Sequence, residues 1–265
     1  MTEKETLSSG NASEEITDQN RFDGHFALEG KGQGSIKEFL GKVCFVCILV
    51  NDRRSAWSPE EEEKIKDVIQ TAVNEIKRQS ELTDNRLKIS YAIDKVPIQY
   101  VFDRYESENI DRLVKDVLVQ YGYEDVASYQ KHYKRKFKKK EVPLIFFFNR
   151  DFRAFEHMDY LNGSEYSFVA FSGDEKECMR TLIHEVLHQF GAIDYYLPDR
   201  VKETAQKYLP DSIMESGSKV DDLTRYIIGW DKEMSESAIS FLDNTADITA
   251  KEIADAREKD SDNDW

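Results

Sequence analysis

The sequence predicts an α/β protein of the mixed α+β kind. A twisted mixed sheet with packed helices should form an N-terminal lobe, followed by a smaller, mostly helical or irregular C-terminal lobe. Three observations predict it. Apolar runs rich in β-formers recur along the first part of the chain. Helical patterns separate them, as in strand–helix–strand units. The longest apolar run, Val43–Val50, is the length of a strand and far too short to span a membrane.

Residues 1–35 are rich in Glu, Ser, Thr and Asn and end in Gly30-Lys-Gly-Gln-Gly34. That composition predicts a flexible acidic segment. The folded domain is expected over 36–250, with lobes at 36–190 and 191–250, and a charged, fraying tail over 251–265. Val43-Cys-Phe-Val-Cys-Ile-Leu-Val50 is a continuous run of β-formers, which predicts a buried strand. Ser58-Pro59-Glu60-Glu61 supplies an N-cap, a proline at the first helical position and acids in the first turn. The helix continues through Ile65, Val68, Ile69, Ala72, Val73 and Ile76, whose spacing makes one apolar face. Leu87–Ile93 alternates and predicts a second strand. Asn109 to Lys140 is predicted mainly helical, with a stripe at Leu113, Val114, Val117 and Leu118. Val142–Phe148 and Tyr166–Phe171 are a third and a fourth strand. Glu175–Phe190 is a helix ended by Gly191, and shorter helices follow at Leu223–Ile228 and Ser237–Leu242.

A chain of 265 residues, 40% hydrophobic and 12% aromatic, can bury a core of its own. The net charge of −15 argues against non-specific nucleic-acid binding by the whole molecule. Cys44, Cys47 and Cys178 are too few for a disulfide framework. Met1–Asn20 lacks the basic start and apolar run of a secretory signal, so the expectation is a cytoplasmic protein, or a secreted one that has lost a leader.

The chemistry concentrates in His184-Glu185-Val-Leu-His188-Gln-Phe-Gly191-Ala-Ile-Asp194. Residues four apart share a helix face, so His184 and His188 can present two imidazoles to one ion. Zinc suits two nitrogen ligands and a carboxylate, with water in the remaining place. Glu185 follows the first ligand, where it can act as general base on that water. Leu182, Ile183, Val186, Leu187 and Phe190 let the helix be buried. The bland alternative is a pair of helix-surface histidines with an ordinary C-cap glycine. Gly191 can turn the chain sharply through a left-handed conformation, which swings Asp194 back as third ligand. In gluzincins the third ligand is a Glu on a later helix, which makes Glu203 a competing candidate by that resemblance.

His184-Glu-x-x-His188-x-x-Gly191-x-x-Asp194 resembles the metzincin zinc signature. Most metzincins carry a third His where this chain has Asp194; the aspartate version is similar to the small bacterial secreted peptidases called snapalysins. The resemblance spans about Val43 to Trp230. It implies one catalytic zinc ion and endopeptidase activity on a protein or peptide substrate. Met214 in Ser212-Ile213-Met214-Glu215 would then supply an apolar floor under the metal. Tyr195, Tyr196 and Tyr226 are candidates to assist the oxyanion, and Tyr166–Phe171 is the expected edge strand for an extended substrate. The stretch 103–140 departs from the family pattern and reads as a helical insertion. Rival functions are a non-enzymatic interaction protein on the same fold, and a zinc amidohydrolase acting on a non-peptide amide.

Other features have plainer readings. Cys44-x-x-Cys47 lies inside a strand, where positions three apart face opposite sides, so core packing is expected. Cys178 is an ordinary helix cysteine, with an inhibitory metal contact as its alternative. Lys131–Lys140 is a solvated helix face. Phe22-Asp23-Gly24 is similar to the aspartate latch of some metzincin propeptides. The sequence leaves the oligomeric state open.

Overall fold

The computed structural model describes residues 21–102, 107–138, 140–159 and 164–262. Its strands are β1 (Lys42–Asn51), β2 (Lys88–Pro97), β3 (Leu144–Phe148), β4 (Phe155–Asp159) and β5 (Ser164–Ala170). They form one mixed sheet in the order β2-β1-β3-β5-β4. β1 is parallel to β2 and β3, and β3 is parallel to β5. β4 is antiparallel to β5. Eight helices accompany the sheet among the described residues: α1 (Pro59–Glu81), α2 (Ser107–Gln120), α3 (Val126–Phe137), α4 (Glu175–His188), α5 (Asp199–Tyr208), α6 (Asp222–Ile227), α7 (Glu236–Thr245) and α8 (Ala250–Asp262). None is long and apolar enough to cross a membrane.

Alternation along β1 divides the core. Val43, Phe45, Cys47 and Leu49 pack on one face with α1 and α4, through Ile65, Ile69, Val186 and Leu187. Cys44, Val46, Ile48 and Val50 pack on the other, against Leu113, Val117, Val126 and Tyr129 of α2 and α3. Each such side chain contributes roughly 1.5–3 kcal/mol when fully buried, so neither face can be left bare. The expected helical insertion is therefore the cover of a whole sheet face, with a break between its two helices; residues 103–106 lie outside the described residues. Cys44 and Cys47 are buried on opposite faces, as their spacing predicts. Ser58 and Glu61 form the expected capping box at the start of α1.

Three expectations are corrected. Tyr166–Phe171 is not an edge: its strand, β5, lies between β3 and β4. The edge on that side of the sheet is β4, a short polar strand with no apolar run to announce it. The N-terminal segment is packed from residue 21 rather than 36. Phe22, Phe26 and Ala27 are buried in the main core, and Arg21 pairs with Asp243 on α7. Residues 1–20 lie outside the described residues. The charged tail is helical through α8, with Ile253 buried in the same core; 263–265 lie outside the described residues. Between Gly191 and Leu223 lies α5, whose Val201 and Ala205 are buried.

Candidate metal centre

Helix α4 is capped by Asp174, whose side chain accepts from the Glu177 amide. Its buried face, Leu182, Ile183, Val186 and Leu187, seats it on the sheet. Polar bonds then fix its position along the strands. The Ser167 hydroxyl of β5 donates to the Glu185 carbonyl at 2.9 Å, and Gln189 Nε2 donates to Ser167 Oγ at 2.7 Å and to the Leu144 carbonyl at 3.1 Å. Gly191 ends the helix at φ +92°. A Cβ there would lie 2.2 Å from the Gly30 carbonyl oxygen, so the conformation and the N-terminal strap both require glycine. The chain then returns to bring Asp194 beside the helix.

The result is a tight group of three. His184 Nε2 and His188 Nε2 lie 3.0 Å apart, and each is 3.1 Å from Asp194 Oδ1. These separations are near the roughly 3.3 Å edge of a tetrahedron with metal–nitrogen bonds of about 2.0 Å. Both Nδ1 atoms sit 2.8 Å from carbonyl oxygens, of Ile213 and of Ala192. Those acceptors keep the proton on Nδ1 and leave the Nε2 lone pairs facing Asp194. Lone pairs directed at a carboxylate need a cation or extra protons between them, so the residues present fit a metal ion.

The proton affinities follow the same logic. Burial disfavours a charged His188, but the Glu156 and Asp194 carboxylates outweigh it and push the imidazole up to about 10. His184 is also raised: burial opposes the charge, and the bond to Asp194 prevails. Burial would raise Asp194, yet the two imidazoles hold it well below the usual carboxylate range. Burial pushes Glu185 up to about 8. Its Oε2 is buried with no hydrogen-bond partner among the described residues.

Second contacts brace the ligands. Tyr196 donates to Asp194 Oδ2 at 3.0 Å and receives Arg153 Nη2 at 3.0 Å. The turn carrying Met214 runs under the site. The Ile213 carbonyl meets His184, the Met214 carbonyl accepts from the Tyr195 amide at 2.8 Å, and Met214 is fully buried. Asp221 ties this turn to α6, accepting from Ser212 Oγ at 2.6 Å and Thr224 Oγ1 at 2.7 Å. A cleft of about 320 Å³ opens over His184, Glu185 and Tyr196.

Sequence reasoning missed Glu156 of β4. Its Oε2 lies 3.8 Å from His188 Nε2, and it forms a second potential ligand group with Glu185 and His188. No local pattern points to it, because a strand pairing brings it there. Other candidates lie elsewhere. Glu203 is exposed on α5 and outside both groups. Asp23 lines a separate cavity with Lys31 and Tyr226, which removes the aspartate latch and Tyr226 from the site. Tyr195 is fully buried, its hydroxyl 3.4 Å from Thr224 Oγ1. Cys178 is buried and its thiol pushed up by desolvation, which suits packing and not a thiolate. Within the basic run, Lys134 turns inward to Glu141 at 3.0 Å and to the Ser35 carbonyl, while Lys131 and Arg135 are exposed.

No family model matches this sequence, and no curated protein is significantly similar to it.

Proposed function

We propose that this protein is a zinc-dependent hydrolase of peptide bonds. One observation carries the reading. His184 Nε2, His188 Nε2 and Asp194 Oδ1 converge within 3.1 Å of one another, beside a buried Glu185 oxygen that has no donor among the described residues. The metzincin-like motif and the buried Met214 turn support it.

His184, His188 and Asp194 would hold the ion. Zinc, when bound, supplies Lewis acidity and brings a coordinated water towards neutral pKa. Glu185 would take a proton at Oε2 from the attacking water and return it to the leaving amine; burial brings its proton affinity up to about 8, near a neutral working pH, where a carboxyl can both accept and release a proton. Tyr196 engages Asp194 Oδ2, which leaves Oδ1 directed at the imidazoles. The Ile213 and Ala192 carbonyls fix the imidazole tautomers. An extended substrate would pair with the edge strand β4.

Metal analysis together with peptide-library cleavage tests the proposal. The wild type should bind about one zinc per chain and cleave peptides. Glu185→Gln should keep the zinc and lose on the order of 10²–10⁴ in rate. Zinc binding without hydrolysis of any amide would favour the interaction-protein reading. Hydrolysis confined to non-peptide amides would favour an amidohydrolase. An active Glu185→Gln protein would remove Glu185 as the base.

A further inference from the structure

We infer that β2 is a self-association edge: two copies of this chain pair β2 with β2, antiparallel about a two-fold axis at Tyr91, and join their sheets into one. The pairing does not depend on the hydrolytic chemistry.

The sheet has two outer strands, β4 beside the candidate metal centre and β2 at the far end. β2 is the longer and the more regular. It pairs with β1 residue for residue from Lys88 to Pro97, with no bulge and no proline before the last position. That ladder fixes the direction of its backbone groups. The Lys88 amide donates to the Gly41 carbonyl at 2.7 Å, and the Ile98 amide to the Asn51 carbonyl at 2.8 Å. Even-numbered residues therefore bond inward to β1. Ile89, Tyr91, Ile93 and Lys95 turn their N–H and C=O groups away from the sheet. Those groups have no hydrogen-bond partner among the described residues. A long, regular edge of this kind is a template for another strand.

The side chains say which strand fits. Ile89, Tyr91 and Ile93 lie on the face packed by α1, with Tyr91 and Ile93 only partly buried. Lys88, Ser90, Ala92 and Asp94 lie on the other face, in step with the buried Val96 and Ile98. An added antiparallel strand bonds through outward residues set directly opposite each other, so odd meets odd. With Tyr91 on the axis, Ile89 faces Ile93 of the second copy and Tyr91 faces Tyr91, which closes about six main-chain hydrogen bonds. The α1 face then carries an apolar and aromatic row. On the other face Lys88 meets Asp94 of the second copy, and the axis repeats that pair. Neither residue has an ion-pair partner in its own chain among the described residues; Asp94 meets the Tyr121 hydroxyl. Moving the axis to a neighbouring residue takes Lys88 off Asp94. Lys95, the other lysine that would guard this edge, is already paired with Glu62 of α1. The net charge of −15 is carried elsewhere, since Lys88, Asp94 and Lys95 are the charged residues of this strand. The same strand therefore supplies the backbone groups, the apolar row and both halves of the ion pair, which points to a second copy rather than a foreign segment. β4 and the cleft stay open at the far end of the joined sheet.

The test follows the full chain by sedimentation and by hydrogen exchange at rising concentration. It should pass from monomer to dimer, and the Ile89, Tyr91 and Ile93 amides should gain protection as it does. The Ser90 and Ala92 amides, bonded to β1, should stay protected throughout. Lys88→Asp and Asp94→Lys each set like charges opposite at both pairs and should weaken the dimer about tenfold or more. Combining the two changes restores opposite charges and should recover wild-type association. Circular dichroism melts and zinc binding report that each variant is folded, and neither should change. A wild type that stays monomeric at about 100 µM overturns the pairing. So does a dimer that ignores both single changes, or one that the combined variant fails to restore, because another surface then holds it. Protection of the outward amides in a monomeric chain overturns it as well, by giving the edge to a different segment.

Discussion

Asp221 and Asp194 are both buried aspartates of the C-terminal half, and their surroundings are opposite. Asp221 is wrapped in donors: Ser212 Oγ at 2.6 Å, Thr224 Oγ1 at 2.7 Å and the Thr224 amide at 3.0 Å. Asp194 accepts from the Tyr196 hydroxyl on Oδ2 and turns Oδ1 towards two imidazole nitrogens, with the Glu185 carboxyl close by. The first arrangement is complete in itself and stabilises the turn under the site. The second directs one carboxylate oxygen and two imidazole nitrogens at a point that a cation would complete.

The comparison can be broken in four ways, from the largest effect down. Zinc at a thousand times its Kd should raise the unfolding free energy by about 4 kcal/mol, and His188→Ala should abolish the rise. Calorimetric melts with and without metal would measure it. Asp221→Ala should cost about 3 kcal/mol with or without zinc, because three donors lose their partner in the core. A cost confined to the zinc-loaded protein in denaturant melts would mean that Asp221 acts through the metal site.

The third concerns pH. In the metal-free protein His188, raised to about 10 from its ordinary 6.5, contributes stability that is complete below about 6.5 and lost as pH rises through about 10. Glu185, raised to about 8, loses its contribution in the same direction. Asp194 works oppositely, and its share is lost only as pH falls below its ordinary 3.8. Stability of the metal-free protein should therefore decline between pH 6.5 and 10, and zinc should flatten the decline by replacing those protons. A flat metal-free profile would count against the grouping of Asp194 with the two imidazoles. Finally, Glu185→Gln should change metal-free stability by less than about 1 kcal/mol near pH 7, since the native carboxyl there is largely protonated and its Oε2 has no donor to lose. A larger loss would place Glu185 with Asp221.

Much of the fold was legible where it depends on short range. Ser58 and Glu61 are three residues apart, and their reciprocal cap formed as written. The unbroken apolar runs became β1 and β3, buried on both faces. What was not legible depends on partners far along the chain. Phe155–Asp159 carries no strand pattern of its own, and is a strand through its pairing with β5. Phe22 and Phe26 sit in a composition typical of flexible tails and are ordered by contact with the C-terminal half. The stretch 103–140 looked like an addition because nothing local reveals that a sheet face lacks a cover without it.

The candidate metal centre divides in the same way. The sequence by itself determined the pairing of His184 with His188, the place of Glu185 beside them, and the turn at Gly191, since helix periodicity and glycine's freedom at positive φ act over a few residues. It also named Asp194 as a ligand, through spacing. Only the tertiary structure decided that Asp194 meets both imidazoles, that Tyr196 and Arg153 brace it, and that Glu156 faces the group from the edge strand. Those contacts join separate strands, loops and a helix end, and the burial that holds them together is a property of the packed whole.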